Sequence, residues 1–326
     1  MIRQAGLALV LVLWVLSLLT IMAGSFALSM RREASITAGI KNNAQAMAVA
    51  ESGIALAEMM LLNPDPNKRW RADGSIYEIT AANAKVRVRL LSETGKIDIN
   101  KADQALLQGL MTYVPGDAEQ KLKLVGAILD WRDADDLAHI NGAEKKEYQD
   151  AGLSYQPRNK PFQTLEELQL VLGMNNAIFL RMEPLITVYS GQPKVAVQQA
   201  AKEVLLVIPD LDVSLVDAYI TSRLDSAKND LPMPVFPASA GQNNAAAPTD
   251  VLTLVSEAQL DDESRAAISA VVKQVDKVVA AQHSASPHPP FQVLKWQFIT
   301  TNDQSLFSGA MNELLVKDYA EPELNN

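Results

Sequence analysis

The chain has no cysteine, which excludes a disulfide framework, thiolate metal sites and cysteine nucleophiles while leaving the compartment open. Histidine is nearly as scarce. The three present, His139, His283 and His288, have no zincin spacing and read as surface residues. There is no phosphate-binding glycine loop, no dinucleotide fingerprint and no nucleophile elbow. Glu166 and Glu167 are adjacent on a predicted helix, so their carboxylates point in different directions and make a poor acid/base pair. Without a catalytic constellation the chain reads as a non-enzyme. Basic residues are also in deficit: 29 Lys and Arg against 38 Asp and Glu give a net charge of −9 and a pI near 5.0. Such a surface repels phosphate backbones, and no local basic patch overrides the mean. Nucleic acid is therefore not an expected partner. What is present is enough apolar residue, 48% of 326, for real cores in two domains of ordinary size.

Two further absences shape the N-terminus. Residues 4–30 carry no charge, and a helix of that length is roughly 40 Å long against a hydrocarbon core of about 30 Å. Ser25-Phe26-Ala27 imitates a signal-peptide cleavage site, but the apolar run from residue 7 to 22 exceeds the usual h-region of about 7–15 residues. Nor is there a proline before Pro64. Ile36, Ile40, Ala44, Met47, Ile54 and Leu61 recur at steps of three, four or seven, with Glu33, Lys41, Glu51 and Glu58 off that stripe. One helix is predicted over 7–62, membrane-spanning in 7–30 and amphipathic beyond, ended by Asn63-Pro64-Asp65-Pro66. Arg3 before the span and Arg31 and Arg32 after it leave orientation undecided by charge.

Gly6 followed by Leu7-Ala8-Leu9-Val10-Leu11-Val12-Leu13-Trp14-Val15-Leu16 resembles the processing site of type IV pilins and pseudopilins. The resemblance implies a leader of residues 1–6, cleavage after Gly6 by a prepilin peptidase, and methylation of Leu7. Leu11 stands where most of that superfamily carry a glutamate at the fifth position. In the superfamily that carboxylate neutralises the terminal amine of the subunit above it, so its absence suits a subunit with nothing above. Further on come Asp130-Trp131-Arg132-Asp133-Ala134-Asp135-Asp136, Asn141-Gly142-Ala143-Glu144, Tyr155-Gln156-Pro157-Arg158-Asn159 and Pro161-Phe162-Gln163-Thr164-Leu165-Glu166-Glu167-Leu168. This order and spacing resembles the protein K family of type II secretion systems, the large minor pseudopilins. The resemblance implies a single-pass protein of the bacterial inner membrane with its bulk in the periplasm, at the tip of the pseudopilus. Its partners would be I- and J-type minor pseudopilins, with the major pseudopilin below.

Residues 77–80 and 85–91 alternate with period two and read as strands packed on the long helix, and 293–300 reads as another, with the chain after Ser305 returning as its partner. Between them, 96–102 weakly repeats in 194–200, each followed by paired apolar residues, Leu106 and Leu107, then Val204 and Leu205. The predicted fold is α+β: a pilin-like long helix on a small antiparallel sheet (63–95 plus 287–326). A mostly helical domain (96–286) is inserted, made of two related SAM-like or helix-hairpin-helix-like units (96–190 and 191–286). Val114-Pro115-Gly116-Asp117-Ala118-Glu119 puts acid where such hairpins hold phosphate, so the repeat reads as scaffold. Residues 230–250 and 283–290 read as loops.

Between residues 130 and 150 seven acids face three bases. Hard divalent cations take several oxygen ligands, and calcium tolerates irregular geometry; the bland alternative is a set of solvated acids, with Asp130 or Asp133 capping or pairing with Arg132. Protein K relatives bind calcium in this region, which implies a site drawn from Asp133, Asp135, Asp136, Asn141 and Glu144. Lys145 and Lys146 follow where relatives often continue with acids, so the resemblance does not extend to a second cation. The rival to the pseudopilin reading is a membrane-tethered periplasmic binding protein or enzyme whose helix is only an anchor.

Overall fold

The computed structural model describes residues 5–81, 83–237, 250–275, 289–299 and 305–320. Helix α1 spans Ala5–Leu61, 57 residues and about 86 Å. It begins two residues before the predicted start and runs through the Gly6–Leu7 junction. It is the one helix among the described residues that is long and apolar enough to cross a membrane. The side chains of residues 9–40 are exposed throughout, and the first buried one is Ala46.

Beyond that point α1 lies on a six-stranded sheet of order β7-β6-β5-β2-β1-β8. The strands are β1 (Asp73–Ala81), β2 (Ala84–Ser92), β5 (Val251–Leu260), β6 (Arg265–Gln274), β7 (Phe291–Ile299) and β8 (Leu315–Ala320). Ala50, Ile54 and Ala57 pack on Val86, Val88, Leu90, Leu254, Ile268, Ala270 and Val272. Small residues on the helix allow this close approach: a Cβ on Gly53 would lie 2.3 Å from Ser256 Oγ and 2.7 Å from Val86 Cγ1.

Three expectations are corrected here. Residues 251–274, assigned to the second helical unit, are two long strands at the centre of the sheet. Their alanines and serines (Ser256, Ala258, Ala266, Ala267, Ser269, Ala270) blur the alternation, and pairing on both sides decides the outcome. Second, the chain after Ser305 does not return beside β7. The Ser305 hydroxyl donates to Glu257 Oε1 at 2.8 Å and the Leu306 N–H to Glu257 Oε2 at 2.5 Å, while Arg87 donates to the Leu306 carbonyl at 2.8 Å and to Asn312 Oδ1 at 2.6 Å. These bonds carry the segment across the sheet to the opposite edge, where β8 pairs with β1. Third, that pairing is parallel, so the sheet is antiparallel over five strands and mixed as a whole. The predicted strand 293–300 falls on β7 over residues 293–299, and its last residue and the predicted turn at 301–303 lie outside the described residues. So do 238–249 and 283–288 of the two predicted loops.

The helical domain, inserted between β2 and β5, meets the sheet where Lys96 donates to Thr253, Arg223 pairs with Asp73 and Glu166 pairs with Lys295. It contains α2 (Gln104–Met111), α3 (Ala118–Arg132), α4 (Lys145–Asp150), α5 (Asn176–Met182), α6 (Lys202–Leu205) and α7 (Val216–Lys228), with the short parallel pair β3 (Ile97–Asp98) and β4 (Ile186–Thr187). A four-residue α8 (Gly309–Asn312) precedes β8. The weak repeat has a local counterpart. Ala102 N–H donates to the Asp98 carbonyl at 2.8 Å, and Ala200 N–H to the Ala196 carbonyl at 3.0 Å. Each turn is then held by an arginine from a following helix: Arg132 donates to the carbonyls of Ile99 and Ala102, both at 2.5 Å, and Arg223 to those of Gln198 at 3.2 Å and Ala200 at 2.7 Å. The two halves touch, since a Cβ on Gly109 would lie 2.2 Å from the Val207 carbonyl oxygen.

Candidate functional site

Helix α3 builds the acidic site. Asp117 caps its first turn by accepting the Gln120 N–H at 2.8 Å, and Leu124, Val125, Ile128 and Trp131 bury one face. Asp130, on the last turn, is fully buried. A buried carboxylate must be satisfied or neutralised, and here the following loop does it. Asp130 Oδ1 accepts the His139 N–H at 2.9 Å and meets His139 Nδ1 at 2.6 Å, while Oδ2 accepts the Ala143 N–H at 2.6 Å.

The loop can fold back this far because Asn141 takes a left-handed φ of 63° and Gly142 has no side chain. A Cβ at 142 would lie 1.9 Å from Asp130 Oδ2, and one on Gly126 would lie 2.7 Å from the Gly142 nitrogen. Asp133 closes the helix at its C-terminal cap, and Glu144 opens α4, its N–H donating to Glu147 Oε2 at 2.9 Å. The chain thereby returns Glu144 to the carboxylates it left at Asp133.

Of the predicted ligands, Asp133, Asp135, Asp136 and Glu144 come within electrostatic reach of one another. Burial, then Asp130, Asp133, Asp136 and Asp135, push the Glu144 carboxyl up to about 7. Desolvation, with Asp135 and Asp130, also raises Asp133. Asp135 Oδ1 accepts the Leu137 N–H at 2.9 Å. Asn141 forms the corner of the loop and lines a pocket of about 170 Å³ with Leu122, Val125 and Leu129; among the described residues its side chain makes no hydrogen bond to the carboxylates.

The sequence reading missed three contributors. Asp130 organises the loop instead of pairing with Arg132, whose guanidinium goes to backbone carbonyls. His139 is partly exposed, but its Nδ1 lies 3.5 Å from Asp133 Oδ2 as well as against Asp130. Asn159 arrives from a later segment with a left-handed φ of 52° and donates through Nδ2 to the Asp135 carbonyl and to Asp136 Oδ1, both at 2.8 Å. The only advance signal for Asn159 was its place in the Tyr155–Asn159 motif.

The donor set is suited to a hard cation. Among the described residues, Asp133 Oδ1, Glu144 Oε1 and Asn159 Oδ1 are buried oxygens without a hydrogen-bond partner, which is costly unless something positive meets them. Single donor atoms of Asp130, Asp133 and His139 lie within 4.8 Å of one another. The His139 nitrogen is engaged by Asp130, leaving an oxygen-dominated set of the kind calcium takes.

Residues 84–191, which contain all of these groups, match the family described as type II secretion system (T2SS), protein K. Over 203 residues the chain is 28% identical to the type II secretion system protein K of Klebsiella pneumoniae, an alignment covering 56% of this chain and 62% of that relative. It is 25% identical over 256 residues to that of Aeromonas hydrophila, covering 68% of this chain and 76% of that one. The chain thus spans less than two thirds of the Klebsiella relative. A solved structure, the GspK-GspI-GspJ complex of the enterotoxigenic Escherichia coli type 2 secretion system, aligns with a TM-score of 0.47 at 14% identity. That alignment covers 83% of this chain and 99% of that chain.

Proposed function

We propose, from the match of residues 84–191 to the type II secretion system protein K family, that this chain is a minor pseudopilin at the tip of a type II secretion pseudopilus. The observation that carries the reading is α1. An anchor alone needs only its first half, whereas this helix runs unbroken from the apolar span into the centre of a sheet that buries Ala46, Ala50, Ile54 and Ala57. One element is thus available for lateral packing in a membrane and for carrying the head. On this reading the leader 1–6 is removed after Gly6, Leu7 is methylated, the span sits in the inner membrane, and the bulk lies in the periplasm. Leu11 in place of glutamate leaves no carboxylate for the amine of a subunit above, which suits the tip. The partners are I- and J-type minor pseudopilins beside it and the major pseudopilin below. Its contribution is structural, not catalytic.

The helical domain serves as a bulky scaffold of two SAM-like units, the second ending near α7 before the central strands. Within the first unit, Asp133, Asp135, Asp136 and Glu144, with the side-chain Oδ1 of Asn159 and Asn141 at the loop corner, would hold calcium. The ion would supply positive charge to the unpartnered oxygens and tie the loop to the segment that carries Asn159.

The rival, a tethered binding protein or enzyme, predicts no processing. Intact mass of the protein from its native membrane, with and without the prepilin peptidase, separates the two. Loss of six residues plus one methyl group only with the peptidase supports the pseudopilin; an unprocessed Met1 in both overturns it.

A further inference from the structure

The face of the sheet that receives α1 does not stop where α1 stops covering it. Its cross-strand rows read Val88, Ser256, Ile268, Phe298; Leu90, Leu254, Ala270, Trp296; and Ser92, Leu252, Val272, Val293. Ile268, Ala270 and Val272 are fully buried, but one strand further on Phe298 is 60% exposed, Val293 51% and Trp296 39%. Large apolar side chains on the outermost of the described strands are thus aligned with the helix-binding rows and left exposed among the described residues. The one charge on the middle of β7, Lys295, is drawn to the opposite face by Glu166 at 2.6 Å.

We propose that Val293, Trp296 and Phe298 form a docking face for the post-membrane half of a neighbouring minor pseudopilin's N-terminal helix, laid beside α1. The proposal rests on the minor-pseudopilin reading above and adds the surface. Three observations select a helix as occupant. The face continues the one that already binds a helix of this kind. Among the sheet strands α1 lies chiefly over β5 and β6; with strands about 4.8 Å apart, a second helix at the usual 8–10 Å interaxial distance falls over β7. And β7 runs down towards the β5–β6 turn, which meets α1 through the Asn42–Asp262 hydrogen bond. Below that level Ile36 and Ile40 of α1 are 62% and 68% exposed, so a helix rising from the same membrane would pass from one apolar strip to the next. Addition of a partner strand to β7 is less well served, because the irregular register at Val271/Val272 interrupts the edge ladder.

The test places p-benzoylphenylalanine at Trp296 or at Phe298 in the full chain, in native membranes containing the other minor pseudopilins, with a control at Ile36. Irradiation is followed by peptide mapping. Cross-links from 296 and 298 into the N-terminal helix of another minor pseudopilin are expected. Links to a partner's strands, to lipid or within this chain, or no link at all, overturn the proposal. If Ile36 links to a pseudopilin helix and 296 and 298 do not, the docking face fails alone. If no position links and Gly6 is unprocessed, the underlying reading fails too. As a second measurement, combining Trp296→Glu with Phe298→Glu is expected to lower partner co-purification at least tenfold with Gly6 cleavage unchanged; unchanged co-purification overturns the proposal.

Discussion

The buried carboxylate of Asp130 accepts the backbone N–H of Ala143 at 2.6 Å, closing the acidic loop on the helix that begins it. A hydrogen bond from a neutral donor to a charged acceptor contributes about 1.5–3 kcal/mol, and Asp130 makes such bonds to both His139 and Ala143. Asp130→Ala is expected to lower stability by about 2–4 kcal/mol and to weaken binding of the proposed calcium at least tenfold. Chemical denaturation and calcium titration of the same variant check both. Asp130→Asn, which keeps the acceptor oxygen but not the charge, should fall between.

Gly142 tests the same closure from the other side. A Cβ there would lie 1.9 Å from Asp130 Oδ2, so Gly142→Ala must displace either the carboxylate or the loop. Overpacking of this kind costs about 1–3 kcal/mol. Gly152→Ala is the matched control: its φ of 76° imposes backbone strain, but nothing lies within 4 Å of a Cβ there. It should therefore lose stability without losing calcium.

The pH dependence follows from Glu144, whose folded carboxyl is raised from 4.5 to about 7 by burial and the surrounding acids. Between those values the folded protein holds a proton that the unfolded chain has released. Stability without calcium should therefore be greatest below about pH 4.5 for this group and fall as pH rises towards and through 7. Calcium bound at the proposed site would take the place of the proton, so its apparent affinity should rise over the same interval. Thermal midpoints from pH 5 to 8, with chelator and with calcium, give the two slopes. Glu144→Gln should flatten both.

How much of this was legible beforehand depends on the range over which each signal acts. Helix α1 was readable to within two residues because its causes are local: no charge over residues 4–30, no proline before Pro64, and an apolar stripe. The acidic loop was readable as a concentration of like charge. Its geometry was not, because Asp130 gives no sign in sequence that its partners are His139 and Ala143, and Asn159 reaches the loop only through the tertiary fold. Strands β5 and β6 escaped because alanine and serine fill positions where Val or Ile would have shown the alternation. The pairing of β8 with β1 was unreadable for a different reason: strand order is set by Glu257 and Arg87 gripping the crossing segment, and no pattern inside β8 encodes it.

Arg223 provides the sharpest test of how the two parts of the head are joined. Its side chain is 3% exposed and its Nε lies 3.3 Å from Oδ2 of the fully buried Asp73 in the sheet, while Nη2 donates to the Asp73 carbonyl at 2.7 Å and Nη1 to the Ala200 carbonyl at 2.7 Å. Removing one partner of a buried ion pair leaves the other charge uncompensated and costs about 3–5 kcal/mol. Arg223→Ala should incur that loss. It should also expose the backbone amides of the 196–200 turn to hydrogen exchange ahead of those in β2 and β5, because the clamp acts between the parts and not within the sheet. Arg223→Lys keeps the charge but loses the fork that reaches three carbonyls and a carboxylate together. It should recover part of the stability while leaving the turn unprotected. Equal exchange rates in the turn of Arg223→Lys and the parent protein would show that charge, not the fork, secures the joint.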